Sequence, residues 1–289
     1  MLHSFLQYLQ GEKRYSQHTI HAYMSDIGQL ADYLQIKDLQ QADHRQLRGW
    51  YSELLRQGLS TRSVNRKITS VSTFFKYLVR EQVLQQNPVE KVVNPKNSKR
   101  LPFFYKEEQL KEMLDAEVNE GSYEQCRNHA MIELFYGTGM RLSELVGLTI
   151  SSVSLSNQTV KVLGKGNKQR IIPLSPHLQE VLVKYLEVLK SSYEALPKSS
   201  LFLTKKGEPV YPGLVYRVVH RRLAEQGVSG KKSPHVLRHS FATHMLNKGS
   251  DLNSIKELLG HTSLSATQVY THNNIEKLLK SYRNAHPHA

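Results

Sequence analysis

A mainly α-helical chain with one small antiparallel sheet is what three features of this sequence predict. Apolar residues recur at three- and four-residue steps over much of the 289 positions. Ser residues stand at the starts of several such stretches, and Gly residues at the ends of others. Near the middle, two short β-like runs on either side of a Gly- and Lys-rich turn break the helical pattern.

The first stretch with helical period carries Ile20, Tyr23, Ile27, Leu30 and Leu34, with Ser16 as its N-cap. A second runs through Leu47, Trp50, Tyr51, Leu54 and Leu55, and Gly58 stops it. Ser60 opens a third, in which Val64, Ile68, Val71, Phe74, Phe75 and Leu78 form the apolar stripe. Its other face shows Arg62, Arg66, Lys67 and Lys76, a pattern that fits solvation and phosphate contact equally. Asn87-Pro88 closes this block. The polar, basic, proline-bracketed segment after it resists helix continuation and reads as a linker. We therefore expect a helical domain over 1–92, a linker over 93–104 and a second domain over 105–289.

The second block opens with helical patterns from Glu107 to about Val118 and from Glu124 to about Tyr136. The Gly137-Thr138-Gly139 break follows, then a short helix around Ser143 to Val146. Thr159 to Leu163 and Arg170 to Leu174 are the β-like runs, joined by a turn holding Gly164, Lys165, Gly166, Asn167 and Lys168. Helices return near His177. The fold class is thus α+β, with the sheet to one side of the helices.

Composition narrows the function. The formal net charge is +14, a balance that attracts polyanions and is common among nucleic-acid binders. No apolar run approaches the ~18 residues of a membrane span, and the first ten residues lack the features of a secretory signal. The single cysteine, Cys126, excludes an internal disulfide and a Cys-based zinc site. A cytoplasmic, membrane-free protein is the expectation.

Four segments carry the chemistry. In Ser233-Pro234-His235-Val236-Leu237-Arg238, the Ser-Pro start places His235 and Arg238 one turn apart near a helix N-terminus. Such an end attracts anions through its free N–H groups. Gly137-Thr138-Gly139-Met140-Arg141 delivers a second arginine at the start of the short helix. Two guanidiniums suit a phosphodiester, since each donates paired hydrogen bonds and neither loses its charge. Glu144 is placed either to orient Arg141 or to sit as a surface carboxylate. Lys165 lies at the hairpin tip, flexible enough to enter a groove and to protonate a departing oxygen. Lys168 and Arg170, in the same hairpin, fit contacts to a nucleic-acid backbone. In the last segment, Gly260 ends a helix and exposes His261, and a further helix from about Ser265 carries Tyr270. A phenol with a pKa near 10 becomes a nucleophile at neutral pH only in a cationic, hydrogen-bonding site.

No metal site and no cofactor are expected. His235 and His239 have i, i+4 spacing, but no glutamate completes the zinc motif, and a nucleotide-binding G-x-x-x-x-G-K-[ST] loop is absent.

Taken in order, Arg141, Lys165, His235, Arg238, His261 and Tyr270 resemble the catalytic set of the tyrosine recombinase (phage integrase) family. They are embedded in Gly-Thr-Gly-Met-Arg-Leu-Ser-Glu-Leu, His-Val-Leu-Arg-His-Ser-Phe-Ala-Thr-His and Leu-Leu-Gly-His-Thr. Ser16-Gln17-His18-Thr19-Ile20, with Tyr23 and Asp26-Ile27, is similar to the family's core-binding domain, and the size and the ending look like the Xer recombinases.

The resemblance implies a core-binding domain over 1–92, a catalytic domain over 105–289 and a C-shaped clamp on duplex DNA. Tyr270 would form a 3′-phosphotyrosyl link. Arg141, Arg238 and His261 would stabilise the transition state, Lys165 would serve as general acid, and His235 as base or phosphate ligand. Double-stranded DNA with a specific site, a homo- or hetero-tetramer on two sites and an activating DNA translocase would be the partners. The helix around Ile275 to Tyr282 would dock on a neighbouring subunit or pack within its own. Resolution of chromosome or plasmid dimers is the expected role. The alternatives are a mobile-element integrase, a catalytically idle DNA-binding protein and a type IB topoisomerase.

Overall fold

The computed structural model describes residues 1–36, 38–92, 95, 103–115, 118–119, 121–164, 168–193, 199–227 and 230–260. The chain divides into two compact units, Met1–Leu101 and Pro102–Ala289.

Among the described residues the first unit holds four α-helices: α1 (Leu2–Gly11), α2 (Gln17–Leu34), α3 (His44–Arg56) and α4 (Thr61–Arg80). Local chemistry sets their starts. The Ser16 and Ser60 hydroxyls accept from the backbone N–H groups of Thr19 and Ser63, and Asp43 forms a reciprocal capping box with Gln46. The apolar stripes converge on one core around Phe5, Leu30, Trp50, Val71, Phe74 and Phe75, where Phe5 meets Phe74 edge-on at 5.1 Å.

The expected basic face of α4 is only partly one. Arg62, Arg66 and Lys76 are exposed, but Lys67 is buried. Its Nζ donates to Asp26 Oδ1 at 2.8 Å and to Gln29 at 2.6 Å. Asp26, itself buried, also accepts two bonds from Arg66 at 2.5 and 2.8 Å and one from the Ser70 hydroxyl at 2.7 Å. Burial alone would raise the Asp26 carboxyl, but Arg66, Lys67 and Ser70 together hold it below its usual range.

The second unit contains α5 (Glu107–Leu114), α6 (Tyr123–Thr138), α7 (Leu142–Val146), α8 (Pro176–Ser192), α9 (Pro212–Glu225), α10 (Pro234–Asn247) and α11 (Leu252–Leu259). Three strands, β1 (Val153–Ser154), β2 (Thr159–Leu163) and β3 (Gln169–Pro173), form an antiparallel sheet in the order β1-β2-β3. The β2–β3 register pairs Val160 with Ile172 and Val162 with Arg170. Among the described residues no helix is long and apolar enough to cross a membrane.

Helix α6 is the axis of this unit. Its residues from Ala130 to Thr138 are all buried, and it packs against α8 and α10. The glycine break expected at 137–139 falls at its last position: α6 continues through Gly137 and Thr138, and left-handed Gly139 ends it. A Cβ at Gly139 would lie 2.5 Å from Phe241 and 2.8 Å from Leu259, so only glycine lets α10 and α11 close on this end of α6. Helix α5 is shorter than expected, with Asp115 at its C-cap, where a carboxylate opposes the helix dipole.

A buried relay fixes α10. His244 Nε2 lies 2.8 Å from the Tyr105 carbonyl, which can only accept, so that nitrogen carries the proton. Nδ1 then accepts from the Tyr136 hydroxyl at 2.9 Å, and burial holds the imidazole below its usual pKa. The Ser240 hydroxyl accepts from the Tyr105 N–H at 2.9 Å, a second tie between α10 and the segment leading into α5.

Candidate active site

The site is built on the C-terminal end of α11. The last carbonyls of a helix have no partner within it and form the negative end of its dipole. Here three consecutive carbonyls are each met by an arginine from elsewhere in the chain. Arg170 Nε donates to Leu258 O at 2.7 Å, Arg238 Nη2 to Leu259 O at 2.7 Å, and Arg141 Nη2 to Gly260 O at 3.3 Å. Gly260 caps the helix with φ +65°, and a Cβ there would lie 3.1 Å from Arg170 Cδ. Glycine is therefore required by both conformation and contact.

Arg238 and Arg141 thus meet as the sequence predicts, with distinct surroundings. Arg238 is buried on α10 and also donates to the Gly139 carbonyl at 2.6 Å. Burial, then the neighbouring charges of Arg141 and Arg170, lower its pKa to about 10, so it stays cationic at neutral pH. Arg141 is about one-third exposed and stands at the N-cap of α7. Glu144 binds it twice: Oε2 accepts from the Arg141 backbone N–H at 2.7 Å, and Oε1 from its Nη1 at 2.8 Å. Of the two readings left open for Glu144, the geometry matches the one in which it orients Arg141.

Glu144 is buried, and a second arginine reaches it. Arg170, expected to meet a nucleic-acid backbone, is instead buried and pairs with Glu144 through both Nη atoms, at 2.7 and 2.8 Å. A signal for this exists in the sequence. Side chains two apart in a strand share a face, so Arg170 lies on the same side of β3 as core residue Ile172. Burial alone would raise the Glu144 carboxyl; the bonds and charge of Arg170, followed by the two bonds from Arg141, bring it down to about 2. Three guanidiniums facing one carboxylate leave the site cationic, as an attacked phosphodiester requires.

His235 is exposed at the start of α10, while Leu237, Phe241 and Met245 on that helix are buried in the core. Ser233 occupies the N-cap position of α10, but its hydroxyl makes no capping bond. The N-terminal N–H groups are therefore not occupied by that side chain. Burial, then proximity to His235, holds the His239 imidazole below its usual pKa. Lys168 is exposed on the hairpin. Lys165, His261 and Tyr270, together with the C-terminal helix around Ile275 to Tyr282, lie outside the described residues. Among the described residues no three His, Cys, Asp or Glu side chains converge as a metal site.

The chain is similar to a group of known proteins. Residues 104–277 match the model of the phage integrase family, and residues 2–82 match that of the phage integrase N-terminal SAM-like domain. The tyrosine recombinase XerC of Anoxybacillus flavithermus is 38% identical over 294 residues, covering 100% of this chain and 98% of that protein. XerC of Bacillus subtilis is also 38% identical over 294 residues, covering 99% and 95%.

Among solved structures, the XerH site-specific recombinase bound to palindromic difH substrate, a post-cleavage complex, superposes with a TM-score of 0.71. It is 24% identical and matches over 97% of this chain and 82% of that one. A lambda integrase tetramer bound to a Holliday junction gives 0.70 at 19% identity, over 91% and 74%.

Proposed function

The chain belongs to the phage integrase family, and from that membership we propose that Arg141, Lys165, His235, Arg238, His261 and Tyr270 are its catalytic residues. As a site-specific tyrosine recombinase it cuts and rejoins DNA through a phosphotyrosine intermediate. In the proposed assignment, the Tyr270 oxygen attacks the scissile phosphorus and forms a 3′-phosphotyrosyl bond. The bond to the 5′-oxygen breaks, and Lys165 protonates that oxygen as it leaves. Arg141, Arg238 and His261 donate to the non-bridging oxygens, whose negative charge grows in the transition state. His235 takes the phenol proton or adds a further contact to the phosphate. The phosphodiester bond energy is retained in the enzyme–DNA ester, so rejoining draws on no ATP.

The observation that supports this most is the pair Arg141 and Arg238, fixed on adjacent carbonyls immediately before His261. Recombination between two copies of one DNA site, by four subunits, accords with the reported tetramer of lambda integrase on a Holliday junction. Resolution of chromosome or plasmid dimers accords with full-length likeness to XerC proteins, and a DNA translocase is the class of activator we propose. A core-binding domain over residues 1–92 would bind one side of the duplex and a catalytic domain over 105–289 the other, joined by a linker over 93–104.

DNA trapped on the protein in cells and sequenced identifies the site. A nicked suicide substrate carrying it then captures a covalent adduct with the wild-type chain. Tyr270→Phe abolishes the adduct while leaving binding intact; an undiminished adduct overturns the assignment. Binding falls steeply with salt, because phosphate contacts release counterions.

A further inference from the structure

Arg170 has no place in the proposed catalytic set, yet every polar atom of its side chain is engaged at the site. We infer that Arg170 is a positioning residue for strand cleavage, a buried clamp that holds three catalytic segments in one arrangement. This inference rests on the function proposed above.

Two bonded partners and one close approach carry it. Through Nη1 and Nη2, Arg170 grips Glu144, the carboxylate that binds both the backbone N–H and the guanidinium of Arg141. Through Nε it holds Leu258 O, at the end of the helix whose next segment begins with His261. Its own strand pairs with β2 as far as Leu163 and Gln169, and Gly164, the next residue, lies close to the clamp. A Cβ at Gly164 would stand 3.4 Å from Glu144 Oε1 and 3.7 Å from Arg170 Nη1. One planar fork thus binds Glu144, the partner of Arg141, and the Leu258 carbonyl at the end of α11, and it lies close to Gly164 in the β2–β3 hairpin. Lysine could replace the charge but not this geometry, because a single ammonium cannot make two parallel bonds to Glu144 and a third to Leu258 in a different direction.

Arg170 touches the substrate through none of these contacts. Its effect is on the alignment of Arg141 and the segments around it, where displacements of about 1 Å cost on the order of 10²-fold in rate.

The test measures single-turnover adduct formation on the nicked substrate at saturating protein, with the Kd for DNA measured in parallel. Arg170→Lys is expected to slow adduct formation by roughly 10²-fold while changing Kd by less than about two-fold. Gly260→Ala, whose Cβ presses on the Arg170 side chain without removing its charge, slows the same step. Combining Arg170→Lys with Arg141→Lys costs less than the sum of the two separate losses, because part of the Arg170 effect passes through Arg141.

A role confined to stability lowers the melting temperature of both variants but leaves the rate per bound complex at the wild-type value, and that result overturns the inference. If one variant does not fold, the other decides. Wild-type adduct that Tyr270→Phe removes establishes the underlying function independently, so an unaffected Arg170→Lys rate then refutes the clamp alone. A wild-type chain that forms no adduct on its site refutes both.

Discussion

Replacing Glu144 by Gln removes one charge from the centre of the cationic site while keeping its size. The folded-state carboxyl titrates near 2 against an ordinary value of 4.5. A carboxylate so depressed stabilises the fold fully above its unfolded pKa, and loses that contribution as pH falls through the folded value. The gap corresponds to about 3 kcal/mol at pH 7. At about pH 3.5 the unfolded chain is largely protonated there and the contribution shrinks to about 2 kcal/mol.

Glu144→Gln is therefore expected to lower the melting temperature by about 6–12 °C at neutral pH, at roughly 2–4 °C per kcal/mol for a unit of this size. The deficit should be flat from about pH 8 to pH 5 and narrow below the unfolded carboxyl range. Thermal melts followed by circular dichroism across that range make the measurement. A deficit that is absent at pH 7, or equally large at the acid end, would show that the charge of Glu144 does not stabilise the arginine cluster.

Gly139→Ala forces a methyl to within 3 Å of Phe241 and Leu259 from a left-handed backbone. Backbone strain and overpacking together should cost about 2–5 kcal/mol, read as a lowered melting temperature; a wild-type melt would mean that α10 and α11 do not close on this glycine. Asp26→Asn leaves buried Lys67 without its counter-charge, at an expected cost of about 3–5 kcal/mol. Trp50 is the sole tryptophan and is buried in the same unit, so its fluorescence in a urea titration reports this loss directly. An unchanged midpoint would refute the role of Asp26. Because the Asp26 carboxyl is held below its usual range, that difference should also diminish in acid, once the unfolded chain protonates at this position.

What the sequence made legible was whatever is written locally. Ser16 and Ser60 announced the starts of α2 and α4, Gly260 the end of α11, and alternation around a Gly-Lys turn the β2–β3 hairpin. Strand β1 escaped because two residues carry no period. The pairing of Arg141 with Arg238 was legible through motif order and likeness to a family, since no local rule brings two such distant positions together. Arg170 and Lys67 were misplaced for one shared reason. Charged side chains in a turn or on a helix face are ordinarily solvated, and these two are buried only because Glu144 and Asp26 arrive from other elements. Strand alternation puts Arg170 on the same face as Ile172, and that pattern is the signal in the sequence for its burial.

The arginine contacts at the end of α11 are made to backbone oxygens, so they are indifferent to which side chains stand at 258, 259 and 260, apart from the need for glycine at the last. What they do specify is length. Each residue of an α-helix advances it by 1.5 Å and turns it by about 100°. One residue gained or lost between Asp251 and Leu259 would deliver a different set of carbonyls to the three guanidiniums, in the wrong direction. Helix α11 should accordingly tolerate substitution on its exposed face far better than insertion or deletion of a single residue, its phase being the dimension in which the site is written.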